Sequence, residues 1–312
     1  MSTFTRQRVL LTLSVLLLSL ECASRWLFGN YAQSELVLRV DDPNLCMVLR
    51  PNQALTYTGW YRKVSATQME SDEFGSRGFE KDIQNQDDKY NVFMLGDSFT
   101  YGQGVNLAAA LPAQVNERMG DRYRIWNFGV PGRNFYQMPA EVERLSRMNP
   151  DLILVNLFIN DFHEPPGQCM LNTSTDWQLP LMRYCHLCRW SLLASMSQTS
   201  VLSKTEIERE TIQTIQQLET MSQELSIPIV FVLLMDHHAY RDFSPELPPI
   251  HRLVSQYAKD YIDLERVWST LLIQEEQYQI PGEFHWNVEG NQLLADSYAK
   301  ALQERIPIFV PN

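Results

Sequence analysis

The chain has 312 residues, of which 45% are hydrophobic and 20% are charged. This composition is typical of a globular protein with room for one large α/β domain or two small ones. Lys and Arg number 26 against 37 Asp and Glu, so the net charge is −11. The acidic balance and the scattered basic residues argue against nucleic acid as a partner.

An apolar segment opens the chain. Arg6 and Arg8 precede a run of 12 residues, 9–20, which has the length of a signal-peptide core. Extended to Phe28, the segment reaches about 20 residues, the length that a membrane-spanning helix needs. Arginines ahead of such a segment favour an inside N-terminus and an exported C-terminal part. We therefore expect residues 1–29 to form a signal anchor, or transmembrane segment, that contacts the membrane.

The charges at the far end of this segment suit a retained anchor. Glu21 and Arg25 lie four residues apart, so in a helix they would pair near the interface. A signal peptide removed by cleavage, giving a secreted protein, is the alternative. In both cases we expect the globular part in an oxidising extracytoplasmic compartment, which is the periplasm if the source is Gram-negative.

The next part of the chain shows no clear periodicity. Residues 30–90 are polar and aromatic, with a turn-rich stretch at 71–79 and a solvated linker at 84–89. We predict an extended lead-in arm that packs on the following domain and is not a separate fold.

From residue 91 onward, short apolar runs alternate with amphipathic segments. Strands are predicted at 92–95, 123–128, 151–158, 228–234 and 261–264. Helices are predicted at 139–148, 204–225, 253–259 and 288–304. The helix at 204–225 has one apolar stripe, formed by Ile207, Ile212, Ile215, Leu218 and Leu225. The alternation predicts an α/β domain at 91–312 with a parallel, doubly wound sheet, interrupted by an insertion at about 162–200.

Four segments with polar residues and glycines accompany these elements. Three follow predicted strands and one opens the last helix, and they are Gly96-Asp97-Ser98, 127–134, Asn160-Asp161 and 282–291. The carboxyl ends of parallel strands share one edge of a sheet, which is where open α/β sheets bind ligands. The four segments are therefore expected to meet there.

Together these segments meet the needs of acyl transfer. Ser98 supplies a nucleophile, and His285 is the expected general base. The backbone NH groups of Ser98 and Gly132 and the side-chain amide of Asn160 would form an oxyanion hole. Glu283, two residues before His285, is either the acid that orients the imidazole or a charge in the first turn of the helix. Such chemistry needs no metal and no organic cofactor.

The chain resembles the SGNH hydrolases of the GDSL esterase/lipase superfamily over roughly residues 91–305, in particular the membrane-anchored bacterial members. Ser98, Gly132, Asn160 and His285 match the serine, glycine, asparagine and histidine of the four family blocks. The resemblance implies a flavodoxin-like three-layer α/β/α sandwich. It also implies an esterase, lipase, thioesterase or carbohydrate O-acetyl esterase activity, and some envelope members transfer acetyl groups instead.

Two residues depart from the family pattern. Phe158 stands where the third block usually has glycine, and Gly282 stands where the last block commonly has aspartate. Some members carry the acid two residues before the histidine, and Glu283 resembles that arrangement. Of the remaining carboxylates, Asp97 is expected to brace its loop and Asp161 to hold a backbone amide.

Residues of metal-binding type occur in two places. Four cysteines follow the N-terminal segment, and Cys185 and Cys188 form a single CxxC without the second pair that a zinc site needs. The four cysteines are Cys46, Cys169, Cys185 and Cys188. We therefore expect a structural disulfide that involves Cys169, and free thiols or a bound metal are the alternatives. Asp236-His237-His238 follows the fourth strand, but adjacent histidines in extended chain point opposite ways. We expect this triplet to line the pocket or to lie in a surface loop, with metal binding as a further alternative.

The leading functional hypothesis is an exported serine esterase of the cell envelope that cleaves a small acyl ester, such as an O-acetyl group on a glycan. The first alternative is an O-acyltransferase acting on envelope polysaccharide, which predicts turnover when a glycan acceptor is present. The second is a non-catalytic glycan-binding protein on the same fold, which predicts binding without covalent labelling of Ser98.

Overall fold

The structure, a computed structural model, describes residues 3–28, 39–42, 45–57, 67–78, 89–162, 202–234, 249–264, 267, 275–281 and 285–309. The predictions for Cys169, Cys185, Cys188 and Asp236–His238 lie outside the described residues, as does nearly all of the predicted insertion. Of Cys46 only the backbone is described.

The N-terminal segment forms helix α1, Thr3–Phe28. The predicted contact between Glu21 and Arg25 is present, with 2.8 Å between Oε1 and Nε. Leucines on α1 are widely exposed, up to 67% for Leu11. Among the described residues, no helix is long and apolar enough to cross a membrane, and the anchor predicted for residues 1–29 is not confirmed.

Two antiparallel hairpins lie in the region that was predicted to be an irregular arm. β1, Arg39–Asp42, pairs with β2, Cys46–Leu49, and β3, Gln53–Tyr57, pairs with β4, Thr67–Ser71. These two hairpins were not predicted, whereas the expectation that residues 30–90 form a lead-in arm packed on the domain stays a prediction. Strands of four or five residues are too short to give a readable alternation.

A five-stranded parallel sheet forms the centre of the fold. Its strands are β5 (Tyr90–Gly96), β6 (Tyr123–Gly129), β7 (Leu152–Leu157), β8 (Ile229–Leu233) and β9 (Tyr261–Asp263). They are arranged in the order β6-β5-β7-β8-β9, and every pairing is parallel. This confirms the predicted α/β class and parallel sheet. The order reverses between β5 and β7, and such a switch point opens a crevice at the carboxyl ends of the strands.

Helices cover both faces of this sheet. Their bounds are α2 (Ser98–Tyr101), α3 (Leu111–Met119), α4 (Met138–Ser146), α5 (Lys204–Leu225), α6 (Ile250–Tyr257), α7 (Glu275–Tyr278) and α8 (Val288–Phe309). Apolar residues of α3 and α8 join one core cluster, and those of α4, α5 and α6 join the other. The sheet is therefore the middle layer of three.

The strand sequences divide between these two cores with the period of two that a strand imposes. Val92 and Met94 of β5 face α3 and α8, whereas Phe93 and Leu95 face α4, α5 and α6. Because both faces are covered, the strands carry continuous apolar runs. This is why five short runs were enough to predict the sheet.

The helix predictions were accurate in α5 and less so elsewhere. α5 begins and ends at the predicted residues. Ser203 and Glu206 form a capping box at its start, and Ser226 ends it in the left-handed conformation. Leu225, predicted on the buried stripe, is 39% exposed at the last turn. α6 starts at Ile250, three residues before the prediction, since Ile250 is buried with Leu253 and Val254. The helices α2, α3 and α7 were not predicted.

Candidate active site

The nucleophile candidate Ser98 begins a short helix directly after the central strand β5. Asp97 caps this helix, accepting a hydrogen bond from the backbone N of Phe99 at 2.9 Å. Gly96 is required at the turn, because an added Cβ would lie 2.1 Å from Oγ1 of Thr100. The tight strand-to-helix turn thus holds the Ser98 hydroxyl at the carboxyl edge of the sheet.

The structure brings His285 to this serine across 187 residues of sequence, with 2.8 Å between Nε2 and Ser98 Oγ. The carbonyl of His285 accepts a hydrogen bond from Ile280 N at 2.9 Å, and the N of Asn287 donates to Tyr278 O at 2.9 Å. These bonds fix the histidine segment on the chain that precedes it. A hydroxyl within hydrogen-bond distance of an imidazole is the geometry that a nucleophile and its general base require.

An aromatic stack lies beside the imidazole. The Phe99 ring centroid is 5.1 Å from His285 and 4.4 Å from Phe158, with the two phenylalanine rings nearly parallel. Trp286 contacts the same ring at 5.5 Å. Phe158, the residue that replaces the usual glycine, is fully buried in this stack. The departure from the family pattern therefore adds apolar packing next to the base.

Asn160 is held by Asp97. Its Nδ2 donates to Asp97 Oδ2 at 2.8 Å, which confirms that Asp97 braces the loops around the nucleophile. An amide nitrogen carries two hydrogens, so one remains for a substrate oxygen. Asn160 is exposed, whereas Asp97 is fully buried. The buried carboxylate therefore fixes an exposed donor.

Asp161 holds the end of β7 as expected. Its Oδ2 accepts a hydrogen bond from Phe158 N at 2.7 Å, which confirms the prediction of a backbone contact. Burial raises the pKa of Asp161 well above its usual value, and the charge of Asp97 raises it further. Burial also raises the pKa of Asp97, opposed by the hydrogen bonds from Asn160 and Phe99 and by the charge of His285. Of the two carboxyls, Asp161 is the one that favours the neutral form.

The loop after β6 packs tightly against the nucleophile helix. Val130 N donates to Gly96 O at 3.0 Å, and a Cβ added to Gly129 would lie 2.2 Å from Tyr101 N. Gly132 has a φ of 76°, a left-handed conformation that favours glycine. Its role as an oxyanion donor stays a prediction, supported by the seating of this loop at the sheet edge.

A buried ionic cluster under this loop was missed from the sequence. Glu141 binds Arg144 through two hydrogen bonds of 2.7 and 3.0 Å, and its Oε2 is 3.0 Å from Arg133 Nη1. Burial would raise the pKa of Glu141, but the two arginines outweigh it and lower the pKa. A signal existed, because Glu141 lies on the apolar stripe of α4 between Met138 and Val142. A carboxylate on such a stripe must be paired.

Glu283 lies outside the described residues, so its role stays a prediction. Among the residues that the structure does describe, no three His, Cys, Asp or Glu side chains form a group suited to a metal ion.

The chain is similar to a known protein family and to several solved structures. The GDSL-like Lipase/Acylhydrolase family matches residues 94–293. No curated protein sequence matches significantly. Solved structures with a similar chain path include a lipolytic G-D-S-L family protein from Veillonella parvula, with 15% identity and a TM-score of 0.45 over 69% of this chain and 98% of that one. The aryl esterase of M. smegmatis has 14% identity and a TM-score of 0.43, covering 69% of this chain and 99% of its own. Est24, a carbohydrate acetylesterase from Sinorhizobium meliloti, has 14% identity and a TM-score of 0.41 with the same coverage.

The family match spans more than half of the chain and includes Ser98, Gly132, Asn160 and His285. The chain therefore belongs to the GDSL-like lipase/acylhydrolase family and is a hydrolase acting on ester bonds.

Proposed function

We propose that this protein is an exported serine esterase that hydrolyses small acyl esters of the O-acetyl type. The observation that carries the mechanism is the 2.8 Å contact between Ser98 Oγ and His285 Nε2 at the carboxyl edge of the sheet. In this proposal His285 takes the Ser98 proton as the oxygen attacks the ester carbonyl. Glu283 orients the imidazole.

The negative charge that develops on the carbonyl oxygen needs donors already in place. The backbone NH groups of Ser98 and Gly132 and the Asn160 amide are the proposed donors. Protonated His285 then delivers its proton to the leaving alcohol, and an acyl-enzyme forms on Ser98. Water activated by His285 attacks this acyl-enzyme, which releases the acid and restores the serine.

A short acyl group is favoured by the packing beside the base. Phe99 and Trp286 are 7% and 2% exposed, and together with Phe158 they fill the space next to His285. Side chains packed this closely leave little freedom to admit a long chain without repacking.

The test of substrate class is hydrolysis of p-nitrophenyl acetate, butyrate and octanoate by the full-length protein, followed by acetate release from an acetylated glycan. We expect kcat/KM to fall with chain length and acetate to be released. Transfer of acetyl to an added glycan acceptor, with little free acetate, would instead establish the acyltransferase alternative. The non-catalytic alternative is not supported, since the family is one of acylhydrolases.

Export is proposed on the N-terminal pattern of Arg6, Arg8 and the apolar run 9–20. Alkaline phosphatase fused after residue 90 tests it, because that enzyme folds only in an oxidising compartment. We expect an active fusion. A full-length product that stays with membranes in carbonate would indicate a retained anchor, and a shorter soluble product would indicate cleavage. An inactive fusion would refute export.

A further inference from the structure

Arg77 is a fully buried arginine that binds four backbone carbonyls, and none of the chemistry above uses it. Its Nη1 donates to Tyr101 O at 2.7 Å and to Gly102 O at 2.6 Å. Its Nη2 donates to Val105 O at 2.6 Å and to Gln68 O at 3.0 Å. The guanidinium also lies over the Tyr101 ring, 4.5 Å from the centroid.

These acceptors are neutral, so they do not cancel the charge that burial takes out of water. Burial is the largest influence on Arg77 and lowers its pKa, whereas electrostatic interactions with Tyr101 and Glu70 act in the opposite direction. An apolar side chain of similar volume would fill the site without this desolvation. The feature that an apolar residue lacks is a planar set of donors that fixes several carbonyls at once.

Three of the four carbonyls lie at the last residue of the nucleophile helix or within four residues after it. α2 contains only four residues, Ser98–Tyr101, and Gly102 caps it with a φ of 80°. A single helical turn is unstable alone, because its nucleus costs more than its few hydrogen bonds return. A cation at the C-terminal carbonyls satisfies them and complements the helix dipole. Gly102 is also the residue that fits there, since an added Cβ would lie 2.9 Å from Arg77 Nη1.

Arg77 is in turn fixed by its own segment. Its backbone N donates to Asn127 O at 2.8 Å, which links it to the end of β6. The preceding turn is held by Asp72, whose Oδ1 accepts from Phe74 N and Ser76 N, both at 2.9 Å. Asn127 Nδ2 reaches the same Tyr101 carbonyl at 3.2 Å. The arginine therefore connects a rigid turn to the helix that carries Ser98.

We propose that Arg77 is a positioning residue for the reaction, which sets the place of Ser98 relative to His285 by fixing the C-terminal end of α2. The segment 67–78 thereby completes the active site, although the family match begins only at residue 94. This inference rests on Ser98 being the nucleophile.

The test compares the full-length Arg77→Lys and Arg77→Met variants with wild type. A fluorophosphonate probe titrates the competent active sites, and kcat for p-nitrophenyl acetate is expressed per titrated site. Arg122→Met is the matched control, because Arg122 is exposed and stacks on Tyr90 away from α2. We expect Arg77→Met to lose about 100-fold in kcat per site with KM changed less than about twofold, as small misplacements of reacting groups do. Arg77→Lys keeps the positive charge but loses the planar set of guanidinium donors, and we expect its kcat per site to fall about tenfold.

A purely stabilising role would lower the fraction of titrated sites and leave kcat per site at the wild-type value. A wild-type kcat per site in Arg77→Lys overturns the inference. If Arg77→Met does not fold, the kcat per site of Arg77→Lys alone provides the test. Wild-type protein that is neither labelled nor active would overturn the proposed function and this inference with it. Active wild type beside unchanged kcat per site in Arg77→Lys would overturn this inference only.

Discussion

Replacing Asp97 by asparagine should separate activity from stability. Asp97 is fully buried and accepts two hydrogen bonds, from Phe99 N at 2.9 Å and from Asn160 Nδ2 at 2.8 Å. An asparagine side chain has one oxygen and one NH₂ group, so it can serve only one of these donors. The other donor would face an NH₂ group and must turn away.

The free-energy cost of losing the hydrogen bond to residue 97 differs between the two donors. An unsatisfied buried NH of Phe99 would cost about 1–3 kcal/mol, whereas the exposed amide of Asn160 can turn to water at little cost. The new oxygen should therefore serve Phe99, and Asn160 should lose its orientation. Loss of one oxyanion donor lowers kcat by about 10²–10³-fold, which is about 3–4 kcal/mol. We expect a fall of at least about 100-fold in Asp97→Asn.

Stability should change little or rise. Burial raises the pKa of Asp97 above its usual value. A raised folded-state pKa gives stability that is present below the unfolded-state pKa and is lost as pH rises. A neutral amide escapes that loss, so at pH 7 we expect an unfolding free energy no more than about 1 kcal/mol below wild type.

The assays are kcat with p-nitrophenyl acetate and unfolding in urea. Asp161→Asn is the matched control. Its amide oxygen can still accept the hydrogen bond from Phe158 N, and the side chain of Asn160 is held by Asp97. It should keep kcat within about threefold. Asp97→Asn with kcat within threefold of wild type, or an equal loss in Asp161→Asn, would refute the reasoning.

Three further predictions concern buried groups. Tyr298→Phe removes the 2.6 Å hydrogen bond to Asn156 Oδ1, and we expect urea unfolding to show a loss of about 2 kcal/mol. Gly129→Ala forces a Cβ to 2.2 Å from Tyr101 N, so thermal unfolding should reveal a loss of about 3 kcal/mol and activity should fall at least about tenfold. Burial raises the pKa of Tyr136 to about 12, so its contribution to stability should be full below pH 10 and decline as pH rises from 10 to 12. A Tyr136→Phe variant that declines equally over this range would contradict the last prediction.

The sheet could be predicted from the sequence because its strands are buried on both faces. Runs such as 151–158 need no alternation to be recognised, and their order along the chain implies parallel pairing. The site followed from the same logic, since Ser98, Gly132 and Asn160 each come after a strand and therefore share one edge. The contact between His285 and Ser98 could be expected from chemistry, although its 2.8 Å distance comes only from the structure.

Other features depend on contacts that the sequence does not show. The sequence does not show that Arg77 is buried, because the carbonyls that enclose its guanidinium include those of a segment 24 residues later in the chain. The sequence shows only that Phe158 departs from the glycine usual in its block, and its stacking on Phe99 is visible only in the structure. The hairpins of residues 39–71 were missed because their short strands pair locally and carry no periodic signal.

The most direct test of the account is labelling of the full-length protein with a fluorophosphonate probe, with mass spectrometry of the modified peptide. The account predicts one modified residue, Ser98, with no labelling in Ser98→Ala and labelling slowed at least about 100-fold in His285→Ala. A folded wild-type protein that stays unlabelled, or a Ser98→Ala variant labelled as well as wild type, would contradict the assignment of Ser98 as the nucleophile activated by His285.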